Sequence, residues 1–206
     1  MKLSRAFYDR PTLDVARDLL GAVLVHHRRG VATSGVIVEV EAYIGESDPA
    51  CHAAPGPTRR NAPLYGVPGM AYVYLNYGIH CLMNVVTEAE GTPAAVLIRA
   101  LDPLEGVEVM RRRRAREVKG RRSVARAAAI DPHALCNGPG NLTMAMGITL
   151  AENRVDLSGD RLFVDRRRPT TGRIVWGTRI GIRVGVDRPW RAWIDGHPAV
   201  SATQRK

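Results

Sequence analysis

A chain of 206 residues with 45% hydrophobic and 24% charged residues is long enough to bury a core and has the composition of one globular domain. The 30 basic and 20 acidic residues give a net charge of +10, which favours a polyanionic partner, with nucleic acid as the first candidate and an anionic membrane surface as the second. Because no run of 18 apolar residues and no apolar segment after Met1–Arg5 is present, a membrane span and a secretory signal are excluded, and we expect a cytoplasmic protein, associated with the nucleoid if it is bacterial.

The first predicted elements are a short helix and two strands. Apolar residues in Pro11–Leu20 recur at helical spacing, and Gly21 suits the end of that helix. Ala22–His27 is predicted as a strand that turns at Arg28–Gly30, and Gly35–Tyr43 as a strand with a period of two. The alternation puts Val36, Val38 and Val40 on one face, and Ile37, Glu39, Glu41 and Tyr43 on the other.

Glu39 and Glu41 are candidates for acid–base chemistry, because they lie in an otherwise apolar, β-branched segment. A carboxylate there is costly unless it is paired, held in a polar cleft or used chemically. Two carboxylates on one face raise the pKa of one of them, which suits a base that works near neutral pH. The pattern by itself favours a simpler interpretation, in which both residues are exposed on the solvent face of an edge strand.

The next segment combines a long loop with a tyrosine-rich hairpin. Glu46–Met70 is rich in proline and glycine and reads as a long ordered loop, while Ala71–Val86 predicts two strands that meet near Asn76–Gly78. Tyr77 stands at the expected tip, where a large ring has little to pack against, and an exposed aromatic beside basic residues suits stacking on or between bases. Cross-strand aromatic packing is the alternative, and it accounts for Tyr72 better than for Tyr77.

Behind the hairpin, the sequence predicts a strand at Ala94–Ala100 and a helix at Asp102–Glu117. Asp102 can cap the helix, Pro103 suits its first position, and Glu105 completes a pattern like a capping box. These three residues together predict that the chain leaves the strand at Asp102.

The basic segment Arg111–Arg126 is interpreted as a solvated helix end followed by a flexible loop. Nearly all basic residues of the chain are arginine, which is also typical of a basic protein from an arginine-rich proteome. Gly138–Ile148 predicts a short helix with Asn141 as its cap. Later strands are predicted at Arg161–Asp165, Arg173–Trp176, Arg179–Val184 and Arg191–Asp195.

Strands therefore dominate, with a few helices between them. This pattern predicts an α+β fold: a single domain over residues 1–206 with a curved, mostly antiparallel sheet, flanking helices and a protruding hairpin.

Cysteine and histidine lie close together three times, as Cys51–His52, as His80–Cys81 and as His133 with Cys136. Neighbouring residues on a strand point to opposite faces, and the zinc-deaminase signature, a C-x-x-C pair, a Walker A loop and a dinucleotide fingerprint do not occur. We therefore expect no metal and no cofactor, and three scattered cysteines favour reduced thiols. Composition leaves Cys-His-Asn catalysis open, although nothing in the sequence positions it.

From Phe7 to Val200 the ordered set of motifs resembles the alkyladenine (3-methyladenine) DNA glycosylase family. Each motif is weak alone, but the set in this order is specific. It comprises Phe7–Pro11, Leu19–Gly21, Ile37–Tyr43, His52, Thr58–Asn61, Tyr72–Tyr74, Tyr77–Gly78, Met83–Asn84, Val96–Gly106, Leu135–Pro139, Arg179–Gly181 and Pro189–Arg191.

The resemblance implies an enzyme of base excision repair that flips an alkylated or deaminated purine out of double-stranded DNA and hydrolyses its N-glycosidic bond. In that family pattern Glu41 is the general base and Arg99 helps to place the attacking water, with a further contact from the backbone carbonyl of Ile180. A carboxylate suits both tasks of such a site, since it activates water and stabilises a sugar cation.

The resemblance also implies how the base is held and selected. Tyr43 and Tyr74 sandwich the flipped base, and His52 completes the wall of the pocket and its hydrogen bonding. Asn84 crowds the position of the exocyclic amine of normal guanine. Tyr77 enters the minor groove and fills the gap in the duplex.

The scarcity of lysine indicates a monofunctional enzyme that leaves an abasic site. Strand cleavage usually needs an amine for a Schiff base, and Lys2, Lys119 and Lys206 all lie outside the matching motifs, which leaves only the N-terminal amine. Since DNA offers no symmetry to match, we expect a monomer. Two alternatives stay open: a non-catalytic nucleic-acid-binding module, which gains nothing from Glu41, and a hydrolase of free nucleosides, which needs no basic surface.

Overall fold

A single antiparallel sheet organises the residues that the computed structural model describes, which are 1–115, 130–166 and 172–201. Its eight strands within these ranges are β1 (Val23–Arg28), β2 (Val31–Ile44), β3 (Ala71–Asn76), β4 (His80–Val86), β5 (Ala94–Glu105), β6 (Leu162–Asp165), β7 (Ile174–Gly177) and β8 (Arg191–Ile194). They run in the order β3-β4-β5-β2-β1-β6, and β8 pairs with β2 and with β7.

The 14-residue strand β2 is central to this sheet and pairs with three other strands. One edge pairs with β5 from Ser34 to Ile44, while the other pairs first with β1 and then, at Glu39–Glu41, with β8. A strand with partners on both edges is internal to the sheet. The interpretation of β2 as an edge strand with two exposed carboxylates is therefore wrong.

A bulge interrupts the predicted alternation of β2. The register against β5 shifts on both sides of Glu39, which pairs with Ala100. Ile37 consequently packs in the main core together with Val40, whereas Val38 packs in a separate small cluster. The prediction that Val38 and Val40 share one face is wrong, because the bulge turns the strand between them, as bulges beside functional sites often do.

Four α-helices lie within the described ranges: α1 (Arg5–Tyr8), α2 (Thr12–Leu19), α3 (Val107–Ala115) and α4 (Pro139–Met146). Short 3-10 helices are present at Ala62–Tyr65, Pro132–Ala134 and Leu150–Glu152. The helix predicted at Pro11–Leu20 is confirmed as α2, and Gly21 behind it has a φ of +86°. The buried stripe of α2 includes Val15, whereas Leu13, which the pattern also assigned to it, is exposed. With α2 packed on β2 and β5, and α4 on β4, the α+β class is confirmed.

Helix α3 begins later than predicted. The strand β5 continues through Asp102, which pairs with Val36, and it ends at Glu105. The chain then turns at Gly106, whose φ is +73°, before α3 begins. Pairing with β2 thus overrides the capping pattern, and the Asp102 carboxylate instead accepts a hydrogen bond of 2.9 Å from Nδ1 of His133.

The predicted end of that helix at Glu117 and most of the basic segment Arg111–Arg126 lie outside the described residues, apart from the part within α3. Asn141 is not the cap of α4. Gly138 occupies the cap position with Pro139 as the first helical residue, and the Asn141 side chain donates to the Asn137 carbonyl from inside the first turn.

The hairpin β3–β4 is confirmed, and its tip is formed by Tyr77 and Gly78, both with positive φ. Three of the four later strands are confirmed to within a residue or so at β6, β7 and β8. Arg179–Val184 is not a strand. Its backbone turns at Gly181, which has a φ of +80°, and its polar groups bind the site described below. Within the described ranges, no helix has the length and apolarity that a bilayer crossing requires.

Candidate active site

The register of the sheet places the main candidate side chains on one line. Tyr72 is opposite Asn84, Asn84 is opposite Leu97, and Leu97 is opposite Glu41. On the far side, Glu41 pairs with Arg191 of β8. Because directly opposed residues of antiparallel strands point to the same face, four neighbouring strands and β8 contribute to one surface.

A cavity of about 370 Å³ opens on this surface. It lies at the lower end of the usual range for small-molecule sites, about 300–1,000 Å³, so it suits one small heterocycle. The candidate residues found in its wall are Tyr43, His52, Tyr74, Asn84, Arg99 and Ile180, with Tyr77 at its edge. Sequence reasoning therefore named residues that the fold brings together from β2, β3, β4, β5 and two loops.

Glu41 lies directly behind this wall, with none of its surface exposed. Its Oε2 accepts a hydrogen bond of 2.8 Å from the Tyr43 hydroxyl. Its Oε1 accepts one of 2.6 Å from the backbone N–H of Ile180 and lies 3.2 Å from Nη1 of Arg99. A carboxylate has about four acceptor positions, so these two hydrogen bonds and the ion-pair contact with Arg99 leave Oε2 able to accept one more proton donor.

Glu39 is equally buried but is fully occupied. Its Oε1 accepts from Nε of Arg99 at 2.9 Å and from Nε of Arg191 at 2.7 Å, while its Oε2 accepts from the backbone N–H and the hydroxyl of Ser201. Four donors use all of its acceptor positions. Glu39 therefore has no room for a water molecule, and it is not the better candidate for a general base.

The pKa of Glu39 moves in the direction opposite to that expected from a carboxylate pair. Burial by itself raises it, but the positive charges of two arginines and the hydrogen bonds from Ser201 outweigh burial and hold the pKa below its ordinary value. Burial by itself lowers the pKa of Arg99, but the carboxylates of Glu41 and Glu39 raise it above its usual range. Arg99 is therefore a permanent cation between the two carboxylates.

An aromatic wall closes the other side of the cavity. The rings of Tyr72 and Tyr74 are 5.2 Å apart, and the His52 ring meets Tyr74 edge to face at 4.5 Å. Nδ1 of His52 is 2.9 Å from the Tyr72 hydroxyl, and burial, aided by the charge of Arg60, lowers the pKa of His52. The imidazole is therefore neutral at neutral pH, so this wall is uncharged and polar at one point.

Asn84 forms the floor between the two walls. It is buried, and its Nδ2 donates a hydrogen bond of 3.1 Å to the Tyr72 carbonyl, which fixes the amide against β3. An amide held in this way presents a fixed shape to a molecule that enters the cavity. The role that the family resemblance implies for Asn84, exclusion of one substituent, requires such a fixed shape.

Arg179 and Asp48 support the cavity from behind, and sequence reasoning gave neither a role. The Arg179 guanidinium binds both oxygens of Asp48, at 2.5 and 2.8 Å, and stacks 4.7 Å from the centre of the Tyr43 ring. Both side chains are fully enclosed. Two enclosed charges that compensate each other would anchor the loop before β8, and this loop carries Ile180 to Glu41.

Ser201 and Arg191 are further site residues to which sequence reasoning gave no role. Arg191 stood in a quoted motif without a role, and Ser201 lies 162 residues from its partner Glu39, so only the fold relates them. The two acidic residues of β2 were the one available signal in the sequence for such partners, since a buried carboxylate requires a cation from elsewhere in the chain.

Tyr77 protrudes at the hairpin tip with 87% of its surface exposed and a φ of +50°. Neither packing nor backbone preference accounts for a tyrosine at this position, because an L-residue with a side chain pays a cost in the left-handed region. Cross-strand packing accounts for the neighbouring Tyr72 instead, which is buried.

Thiol and metal chemistry find no support among the described side chains. Cys51 lines the cavity, and burial raises its pKa to about 11, so it is a protonated thiol at neutral pH. Within the described ranges, no group of three or more His, Cys, Asp or Glu side chains is arranged to hold a metal ion.

Comparison with known proteins identifies the family of the chain. A family described as methylpurine-DNA glycosylase matches residues 6–198. Relatives named as candidate 3-methyladenine DNA glycosylases include one from Rubrobacter xylanophilus, 50% identical over 87% of this chain and 86% of the relative, and one from Chlorobium phaeobacteroides, 46% identical over 94% and 92%. A third, from Clostridium acetobutylicum, is 44% identical over the whole of both chains.

Proposed function

The chain belongs to the methylpurine-DNA glycosylase family and is thus a DNA glycosylase of base excision repair, and on that premise we propose that it removes alkylated or deaminated purines by monofunctional hydrolysis. In this proposal the damaged nucleotide is flipped from double-stranded DNA into the cavity, and an abasic site remains.

One observation carries the assignment of the general base: Glu41, directly behind the cavity wall that Tyr43, Arg99 and Ile180 form, retains an open acceptor position, whereas Glu39 does not. Its position is fixed by two hydrogen bonds and by the ion pair with Arg99, so its rotamer needs no reorganisation when a water approaches. Arg99 lines the cavity beside it and is suited to orient that water. The family role of the Ile180 carbonyl is a further proposal; the contact that supports a role for Ile180 is its N–H on Glu41.

On an alkylated, cationic purine, the proposed reaction needs little more from the protein, whereas a neutral deaminated purine also needs a proton from an acid in order to leave. The glycosidic bond to an alkylated, cationic purine is already weakened, because its electron pair returns to the base, which leaves neutral. Glu41 takes a proton from the water as oxygen bonds to the sugar carbon, and its negative charge stabilises the cationic character of the sugar in the transition state. The abasic site and protonated Glu41 result, and solvent then removes the proton.

The aromatic cavity is suited to select electron-poor bases. Tyr43 and Tyr74 would stack on the flipped base, and neutral His52 would add a polar contact without repelling a cationic purine. Asn84, fixed by its bond to β3, would collide with the exocyclic amine of undamaged guanine. Selection would then combine the lower cost of flipping a damaged base with exclusion by shape.

The surface supports docking on DNA. Tyr77, exposed at the rim of the cavity, would enter the minor groove and occupy the space left by the flipped nucleotide. The net charge of +10 favours the phosphate backbone. We propose that one copy of the chain suffices, because the cavity and the hairpin belong to the same chain.

Monofunctional hydrolysis is supported by the placement of the amines in the described part of the chain. Lys2 forms an ion pair with Asp160, and the N-terminal amine forms one with Asp165, both outside the cavity. A Schiff base would need an amine at the sugar carbon.

A single-turnover excision assay tests this function. Duplexes with one 7-methylguanine or one hypoxanthine are incubated with protein in the presence of a chelator, and samples are compared before and after alkali. We expect strand breaks only after alkali. Glu41→Gln should slow excision by about 10²–10⁴-fold, which is the usual contribution of a general base. Its affinity for the lesion duplex, measured by fluorescence anisotropy, should stay the same.

Turnover retained in Glu41→Gln would remove Glu41 from the mechanism. Breaks without alkali would contradict monofunctional hydrolysis. Salt-sensitive DNA binding without excision of either lesion would leave a non-catalytic binding module as the function.

A further inference from the structure

We propose that Glu39 is a positioning residue that holds Arg99 against Glu41 and, together with Arg191, sets the pH range in which the enzyme is active. The proposal rests on the proposed function, in which Glu41 is the general base. Its basis is a buried chain of four charged side chains behind the cavity, in the order Arg191, Glu39, Arg99 and Glu41.

The contacts of Arg99 show what Glu39 does. Nε of Arg99 donates to Glu39, and Nη1 faces Oε1 of Glu41 at 3.2 Å, so one planar guanidinium joins the two carboxylates. Nη2 of Arg99 also donates to the Ser201 hydroxyl at 3.4 Å, and this hydroxyl is itself bound to Glu39. The two contacts together fix the plane of the guanidinium, so Nη1 has one direction in which to point. Glu39 therefore determines where Arg99 meets both Glu41 and the cavity.

The backbone is shaped for this arrangement. A regular antiparallel ladder would set Glu39 directly opposite Arg99, but the register shifts on both sides of Glu39 and pairs it with Ala100 instead. The bulge of β2 thus lies at the one point where the strand carries a carboxylate that supports the site without entering the cavity. Ser201 closes the far side of Glu39 through two hydrogen bonds, which excludes other donors.

The charges of the chain balance, since two guanidinium groups alternate with two carboxylates. None of the four residues is more than 6% exposed. Water therefore screens only poorly the charge imbalance that a single substitution would create. Removing the charge of Glu39 would leave the cluster with one extra positive charge, which favours charged Glu41. Removing the charge of Arg191 would leave one extra negative charge, which favours protonated Glu41.

Other groups that face Glu41 have to be considered as well. Those on its own strand are Glu39 and Tyr43, and the neighbouring elements contribute Arg99 from β5, Arg191 from β8, Tyr74 from β3 and Arg179 from the loop before β8. The tyrosines have pKa values raised by burial and remain neutral during acid titration, and Arg179 is committed to Asp48. The two proposed substitutions therefore change the net charge near Glu41 while these groups keep theirs.

The test is the pH dependence of single-turnover excision of 7-methylguanine, a cationic base that needs no proton to leave. Glu39→Gln should move the acid limb of the rate profile to lower pH by about one unit and lower the plateau rate by about tenfold or more. Arg191→Gln should move the same limb to higher pH. A loss of structure by itself would not move the acid limb to lower pH in one variant and to higher pH in the other.

Glu152→Gln is the matched control, because Glu152 is also fully buried and paired with an arginine, Arg161, but lies outside the cavity. It should lower the thermal midpoint without moving the limb. If Glu39→Gln fails to fold, the predicted shift of the acid limb to higher pH in Arg191→Gln tests the proposal. Limbs that coincide with the wild type in the folded variants, while Glu41→Gln is inactive, would overturn this inference alone. An active Glu41→Gln would instead remove Glu41 from the proposed mechanism, and an inactive wild-type enzyme would overturn the proposed function.

Discussion

Replacing Tyr77 with asparagine should raise the stability of the protein and lower its affinity for a lesion duplex. The left-handed backbone at this position costs a tyrosine free energy, and the ring contributes little packing. The φ of Tyr77, +50°, lies in the left-handed region, and 87% of its surface faces solvent. Asparagine visits this region more readily than tyrosine does. The substitution therefore relieves backbone strain and uncovers almost no buried surface.

The expected magnitudes have opposite signs. Left-handed geometry costs an L-residue roughly 1–2 kcal/mol, and asparagine recovers part of it, so we expect a gain of up to about 1 kcal/mol. For a chain of this size that raises the thermal midpoint by about 2–4 °C. Loss of one aromatic ring that stacks on bases costs about 1–3 kcal/mol of binding, or roughly 5- to 150-fold in affinity for a lesion duplex.

Thermal unfolding by calorimetry and fluorescence anisotropy on a hypoxanthine duplex measure the two effects. Arg29→Asn is the control for strain, because Arg29 is exposed at the turn between β1 and β2 with a φ of +51°. It should give the same gain in stability without the loss of stacking. A lower midpoint in Tyr77→Asn would show that the ring packs on the protein, and unchanged affinity would refute its role as a wedge.

Two further predictions concern selection and pH. Asn84→Ala should raise excision of undamaged guanine relative to 7-methylguanine by about tenfold, since the amide that crowds the exocyclic amine is gone; an unchanged ratio in a competition assay would contradict this role. Burial lowers the pKa of His26, so the unfolded chain takes up a proton near pH 6.5 before the folded protein does, and stability should fall as the pH drops from about 7 to 5. Urea midpoints should fall less in His26→Gln, and an identical fall would exclude His26 as the cause.

Two of the errors of sequence reasoning have one physical origin. The capping pattern at Asp102 is a valid local signal, but pairing of β5 with β2 extends beyond it and delays the helix until after Gly106. The strand predicted at Arg179–Val184 has suitable residues, yet the Arg179 side chain is bound to Asp48 and the Ile180 N–H to Glu41. In both cases contacts distant in sequence outweigh local preference, because they bury polar groups that would otherwise lack partners.

The amino-acid sequence alone determined the fold class and the hairpin with Tyr77 at its tip, because these depend on periodicity and turn residues. Its ordered motifs resemble one family, and that resemblance named the residues around the cavity. Only the tertiary structure decided the environment of each carboxylate. Alternation along β2 treats Glu39 and Glu41 alike, and nothing local marks either as buried. Their difference comes from Arg99, Arg191 and Ser201, which reach the strand from distant parts of the chain and saturate one carboxylate while leaving the other an open acceptor position.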